Sequence, residues 1–384
     1  MQDWRKAVFQ TPLTYKMGNS TVRLQSRVVA GLVVTAAVVL LYLLLQRGRQ
    51  GLTVQPWTPA GPAGPSGCNT TYPLTRPVAT KTGGVRYRVA VISDLDTGSR
   101  RGAAWVSVLR RGWLSWDERR RAADVWWDGD DVTLTSSLAQ GGRGMELSEL
   151  VVFDGHLLSV DDRTGVVYRL TSGQAVPWLI LADGDGAVAK GFKGEWMAVK
   201  DEHLYIGGLG KEWTTTTGEV LNHNPQFVKR VSCGGGVEHL DWQPVYQRLM
   251  AAAGLVAPGY LIHEAAAWSQ RLRQWVFLPR RASSERYDDL ADERRGTNLL
   301  LRADAQFADV QKSLVGPVIP SHGFSSFKFI PGTDDRWLVA LKSEEDSVAN
   351  RTNSYITVFS VDGEVALPET PLDGHMKFEG IEFV

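Results

Sequence analysis

Two cysteines in 384 residues exclude a disulfide framework, and they leave no thiolate cluster for zinc. Lysine plus arginine equal aspartate plus glutamate, at 42 each. The chain therefore lacks the basic excess a nucleic-acid partner would demand, and none is expected. No G-x-x-x-x-G-K-S/T string occurs, which excludes a P-loop. Leu95-Asp96-Thr97-Gly98-Ser99 has no second copy to supply the other carboxylate of an aspartic protease. His263-Glu264-Ala265-Ala266-Ala267 lacks the second histidine of a zincin. Asp183-Gly184-Asp185-Gly186 starts like an EF-hand loop, but Ala187 and Val188 break it.

Long apolar runs are also scarce. The exception is 28–45, eighteen uncharged residues, long enough for a membrane-spanning helix. Arg5, Lys6, Lys16, Arg23 and Arg27 precede it, and only Arg47 and Arg49 follow closely. The positive-inside rule then predicts a single-pass type II signal anchor: a cytosolic tail at 1–27 and a lumenal remainder. A cleaved signal peptide is the competing reading, and later proteolysis would release a secreted form. Asn69-Thr70-Thr71 and Asn350-Arg351-Thr352 are sequons on the lumenal side, while Asn19-Ser20-Thr21 falls on the cytosolic side. Residues 46–83 hold a cluster of prolines and glycines and read as an extended stalk. Within it, Cys68 either pairs with Cys233, links two chains into a homodimer, or is incidental.

From Gly84 to Val384 short apolar runs alternate with Asp/Gly turns, which argues for an all-β fold. Helical patterning is confined to the region of Pro244 to Ala253. Five segments share one pattern: an oxygen-bearing residue opens a strand, with apolar residues at +2 and +4. The anchors are Ser148, Glu195, Glu264, Ser325 and Glu379, spaced 47, 69, 61 and 54 residues apart. Recurrence at this spacing suggests a repeat architecture, here a five-bladed β-propeller over 84–384. An irregular sandwich is the alternative. The last unit ends after one strand, so the strand beginning at Val85 is expected to complete it.

Inner strand ends of a propeller face a central channel. Three carboxylates there repel one another unless a cation joins them. All-oxygen ligands point to calcium or magnesium, and calcium tolerates the looser geometry. Asp94 and Asp96 follow the first strand, where carboxylates suit holding a water or acting as general base. Arg280 and Arg281 end a strand and are candidates for clamping phosphate oxygens. Trp213, in a hydroxyl-rich loop, is a candidate for stacking on a base.

Several long strings resemble the calcium-activated nucleotidase, or soluble apyrase, family. They include Ile92-Ser93-Asp94-Leu95-Asp96-Thr97, Gly144-Met145-Glu146-Leu147-Ser148-Glu149-Leu150, Lys190-Gly191-Phe192-Lys193-Gly194-Glu195-Trp196, Leu278-Pro279-Arg280-Arg281-Ala282-Ser283 and Glu379-Gly380-Ile381-Glu382-Phe383. The resemblance implies a five-bladed propeller with one central calcium, held by Ser148, Glu195, Glu264, Ser325 and Glu379. It implies hydrolysis of nucleoside di- and triphosphates, with UDP and GDP preferred over ADP. Asp94 and Arg280 are the implied catalytic positions; Asp96, Glu149, Lys193, Trp213 and Arg281 are the further substrate-contact candidates. It also implies residence in the endoplasmic reticulum or Golgi membrane, clearing UDP after glycosyl transfer and supporting proteoglycan synthesis. The chain departs from familiar members in the stalk, in Val231–Trp242 and in Asp346–Asn353. The rivals are a non-catalytic calcium-stabilised propeller that binds a protein or glycan, and a calcium-dependent esterase or lactonase.

Overall fold

The computed structural model describes residues 13–17, 20–24, 35, 36, 39, 67–81, 83–349 and 351–384. It has two compact units, Met1–Gly67 and Cys68–Val384. In the first, Leu13–Met17 and Ser20–Leu24 form an antiparallel hairpin. The proposed anchor at 28–45 lies almost wholly outside the described residues, as does Asn350. No helix among the described residues is long and apolar enough to cross a membrane.

The second unit is all-β and propeller-like. Four of its sheets have four antiparallel strands in chain order, three of them consecutive meanders and one interrupted by the hairpin of Trp213–Thr214 and Val220–Asn222. Their first strands are Leu147–Phe153, Trp196–Lys200, Tyr260–Ser269 and His322–Phe329. The remaining large sheet has seven strands, not the four of a regular blade. There the C-terminal strand Lys377–Phe383 pairs with Val85–Asp94, as the truncated last repeat required. Ala104–Asp117 follows and carries three of the shorter strands of that sheet. The four first strands pack side by side in chain order. Lys377–Phe383 packs against both His322–Phe329 and Leu147–Phe153, so the circuit closes.

Burial explains the sequence texture. All seven residues of Leu147–Phe153 and of Lys377–Phe383 are buried, because inner strands are covered on both sides. Apolar cores fill the spaces between sheets. The second and third sheets share Trp196, Trp242, Trp275 and Phe277, with ring centroids of Trp196 and Trp275 6.2 Å apart. Each such ring contributes about 1.5–3 kcal/mol on burial. Gly207 has no alternative here: a Cβ would sit 2.1 Å from the Trp196 ring. The longest helix among the described residues, Gln243–Ala253, packs Tyr246 and Leu249 onto this core and stops at Gly254 in the left-handed region (φ 85°).

Residues from Cys68 onward belong to the second compact unit. Cys68 is disulfide-bonded to Cys233, which selects that pairing among the three readings and leaves no Cys68 thiol to link two chains. Val78–Ala79 pairs with Val85–Asp94, which ties the rest of this segment to the seven-stranded sheet.

Candidate active site

The five anchors sit where the inner strands depart from regular pairing. Between Val160 and Asp161 on one strand, the partner advances from Glu149 to Leu147, which leaves Ser148 as the extra residue. The same irregularity falls at Ser325 (between Phe324 and Ser326), at Glu379 (between Phe378 and Gly380) and across Glu264-Ala265. Glu195 immediately precedes its strand and donates its N–H to Gly207 O at 2.7 Å. Bulges re-aim a side chain out of the pleat. Glu264 and Ser325 thus lie inside their strands instead of opening them.

Glu195, Glu264 and Glu379 line one cavity of about 490 Å³. Asp94, Asp96, Lys193, Arg280 and Arg281 share its wall. Arg280 is 4% exposed and joins three carboxylates: Nη1 lies 2.5 Å from Glu264 Oε2 and 3.3 Å from Glu379 Oε1, and Nη2 lies 2.6 Å from Glu345 Oε2. Lys377 does the same on the other side. Its Nζ is 2.7 Å from Asp94 Oδ2, 2.8 Å from Asp96 Oδ2 and 3.1 Å from Glu345 Oε1. Lys193 bridges Asp162 and Glu195, the latter at 2.6 Å. Asp94 ends its strand, and its Oδ1 accepts the Asp96 N–H at 2.7 Å, so the two carboxylates are set by one turn. Asp96 adopts φ 48°, which makes that turn.

Burial dominates the ionisation of the ring carboxylates. It pushes Glu195 up to about 8, against the pull of Lys193 and with help from Glu264. Glu264 and Glu379 are also raised by burial, more than Arg280 and Lys377 lower them. Glu345 goes the other way: burial raises it, but Lys377 and Arg280 together hold it well below the carboxylate range.

Two candidates fall elsewhere. Glu149 is fully buried and turned away from the cavity: its Oε1 accepts from Ser326 Oγ at 2.7 Å and faces Lys328 Nζ at 3.2 Å. Neither Glu149 nor its neighbour Ser148 is among the residues that line this cavity. Trp213 is also outside the cavity, with Lys190 Nζ over its ring at 5.5 Å. The aromatic on the cavity wall is Tyr287.

Lys377 and Glu345 were missed by sequence reasoning. Lys377 precedes Glu379 by two residues on one strand, which was the available signal. Glu345 had none, being one acid in the run Glu344-Glu345-Asp346. Asp162, Arg163 and Glu146 also surround the site. Arg163 Nε lies 2.7 Å from Glu146 Oε2, and Arg143 Nη2 lies 2.6 Å from the same oxygen. Asp346, Ser347, Arg351 and Thr352 complete the wall, so the divergent segment Asp346–Asn353 bears on the site itself.

A hard cation fits the ring. Ser148 Oγ is buried without a hydrogen-bond partner, and so is Glu195 Oε1 despite the nearby ammonium. Ser325 Oγ donates to Phe378 O at 3.1 Å, leaving its lone pairs free. Three carboxylates and two hydroxyls, with Ser148 and Glu195 each keeping a buried oxygen unpartnered, match the all-oxygen donor set of calcium or magnesium. A second acidic group, Asp94, Asp96 and Glu146, has carboxylate oxygens within 4.8 Å of one another. Its oxygens are engaged by Arg143, Arg163, Lys377 and the Asp96 N–H, as those of Glu264 and Glu379 are by Arg280. At the discounted Asp183-Gly184-Asp185-Gly186 loop, the Lys229 ammonium donates to Gly184 O and supplies the positive charge there.

The family profile described as Apyrase matches residues 94–384. The chain is 58% identical over 318 residues to "Soluble calcium-activated nucleotidase 1" of Rattus norvegicus, covering 82% of this chain and 78% of that protein. It is 46% identical to "Apyrase apy-1" of Caenorhabditis elegans over 78% of this chain and 85% of that protein. It is 40% identical to "Apyrase" of Cimex lectularius over 97% and 99%. The chain belongs to the apyrase family.

Proposed function

We propose that this protein is a calcium-dependent hydrolase of nucleoside di- and triphosphates that releases inorganic phosphate. Membership of the apyrase family and the names of its calcium-activated relatives support the activity. The observation that carries the phosphate assignment is Arg281. It is 2% exposed and lines the cavity, yet Nε and Nη1 have no hydrogen-bond partner. Asp292 is 3.8 Å away, too far to satisfy them. A guanidinium with two unpaired donors in a carboxylate-lined cavity is prepared for phosphate oxygens.

Ser148, Glu195, Glu264, Ser325 and Glu379 would hold calcium. When bound, calcium supplies positive charge against the phosphate oxygens. Arg281 binds and orients the terminal phosphoryl group. Arg280 keeps the ring carboxylates in place and adds charge beside the developing phosphoryl anion. Asp94 orients the attacking water and takes its proton, with Lys377 fixing the carboxylate. The phosphoanhydride bond breaks, and the nucleotide shortened by one phosphate leaves. Positioning and electrostatics suffice for such a transfer, so no protein nucleophile is required.

The seven-stranded sheet is read as the fifth blade of a five-bladed propeller, closed by Lys377–Phe383. Preference for UDP and GDP over ADP follows the family resemblance, as does a role in clearing UDP in the endoplasmic reticulum or Golgi in support of proteoglycan synthesis. The Cys68–Cys233 disulfide and the exposed Asn69 sequon favour an oxidising lumen, consistent with a type II anchor at 28–45.

Phosphate release from UDP, GDP, ADP and UTP, with calcium and with chelator, tests this reading. Calcium-dependent release from the diphosphates supports it. Absence of release from every nucleotide would favour a non-catalytic binding propeller. Turnover that survives Arg281→Ala and Arg280→Ala would favour an esterase-type site with no phosphate clamp.

A further inference from the structure

The inner strands border a second cavity farther along their length, of about 450 Å³. Val152, Phe153, Met197, Trp268 and Phe329 form its apolar wall, and none of them lines the first cavity. The segment Cys68–Tyr72 runs along it, fixed at one end by the disulfide to Cys233. At the other end Tyr72 Oη lies 2.9 Å from Glu382 Oε1. A mostly apolar hollow of this size with a few polar groups has the character of a small-molecule site, for which about 300–1,000 Å³ is usual.

One polar group on this wall is incomplete. Lys328 is 7% exposed, and the polar partner of its Nζ is a single carboxylate oxygen. The nearest carboxylate oxygen is Glu149 Oε1, 3.2 Å away. That oxygen already accepts from Ser326 Oγ and from the Leu150 N–H. Glu382 is likewise committed: Tyr72 Oη, the Phe383 N–H and the Val152 N–H all donate to it. The Glu149 contact therefore occupies at most one of the three Nζ–H donors, and the others are left without an acceptor in a buried space, which is uncommon in native structures.

We propose that this cavity is a second ligand site, for a small uncharged molecule with an apolar body and one acceptor oxygen that takes a hydrogen bond from Lys328 Nζ. The charges choose the head group. Glu149 and Glu382 already confront one ammonium, so a bound anion would be a third negative charge in a buried space. A cation would meet Lys328 itself. The apolar wall, with Trp268 and Phe329 facing the space, selects the body.

The test uses the full chain and two probes of equal length, 1-octanol and octanoate, followed by calorimetry. 1-Octanol is expected to bind one saturable site, with octanoate at least about tenfold weaker. Lys328→Met keeps the volume and removes the donors, and it should weaken 1-octanol about tenfold, the loss expected for one charged hydrogen bond. Ala267→Phe fills the cavity from its wall and should abolish binding. This second variant decides the matter if Lys328→Met fails to fold. No saturable 1-octanol binding, equal or tighter octanoate binding, or unchanged 1-octanol binding in folded Ala267→Phe would overturn the proposal.

Discussion

Arg280 Nη1 lies 2.5 Å from Glu264 Oε2, inside a cavity wall where both residues are buried. The arginine is thus a counter-ion of the carboxylate ring as well as a neighbour of the substrate space. Removing it leaves Glu264, Glu379 and Glu345 short of a partner. Breaking one side of a buried charge pair costs about 3–5 kcal/mol. Arg280→Ala should therefore lose turnover and also lower the thermal midpoint in chelator. Calcium should restore more of that midpoint than it adds to the wild type, because the cation replaces the missing charge. Differential scanning calorimetry with and without calcium checks this. Equal calcium shifts in the two proteins would separate Arg280 from the ring.

The pH response of the metal-free protein follows from Glu195. An ordinary glutamate titrates near about 4.3, and burial moves this one up to about 8. Between those values the folded state holds a proton that the unfolded state has released. Stability is then full below the lower value and falls as pH rises through the upper one. Glu149, raised by burial to about 7, adds a loss of the same sign. Calcium keeps Glu195 ionised in the folded state, so the decline should flatten when the protein is loaded. Thermal midpoints from about pH 5 to 9, in chelator and in calcium, measure the difference. A metal-free midpoint that rises across this range would contradict the assignment.

Cys68 and Cys233 are 165 residues apart in the chain, so their disulfide closes a long loop. A cross-link of this kind typically contributes about 2–4 kcal/mol. The double substitution Cys68→Ser, Cys233→Ser should lower the midpoint by several degrees, and reduction of the wild type should do the same. The variant should also keep the oligomeric state of the wild type by analytical ultracentrifugation, since neither thiol is available between chains.

Much of this arrangement was legible in the sequence because inner strands obey a simple period. Apolar residues at +2 and +4 after Ser148, Glu195 and Glu379 marked strands with a buried face, and the stub after Glu379 called for pairing with the strand at Val85. The bulges were not legible, since an extra residue leaves no trace in alternation. Glu264 and Ser325 consequently looked like strand openings when they lie within strands. Glu149 was drawn into the site by its neighbour Ser148, although adjacent strand residues point to opposite faces. Trp213 lies off the cavity wall in a two-residue strand, Trp213–Thr214. Lys377 and Glu345 escaped because charge compensation is a property of the folded cavity and not of any one segment.

The central claim is that the ring of oxygens holds the calcium on which nucleotide hydrolysis depends. Phosphate release from UDP, measured against free calcium for the wild type and for Glu195→Gln, tests it most directly. The account predicts one saturable activation by calcium in the wild type, no release in chelator, and activation shifted to higher calcium in Glu195→Gln. Release that persists in chelator, or an unshifted calcium dependence in the variant, would contradict it.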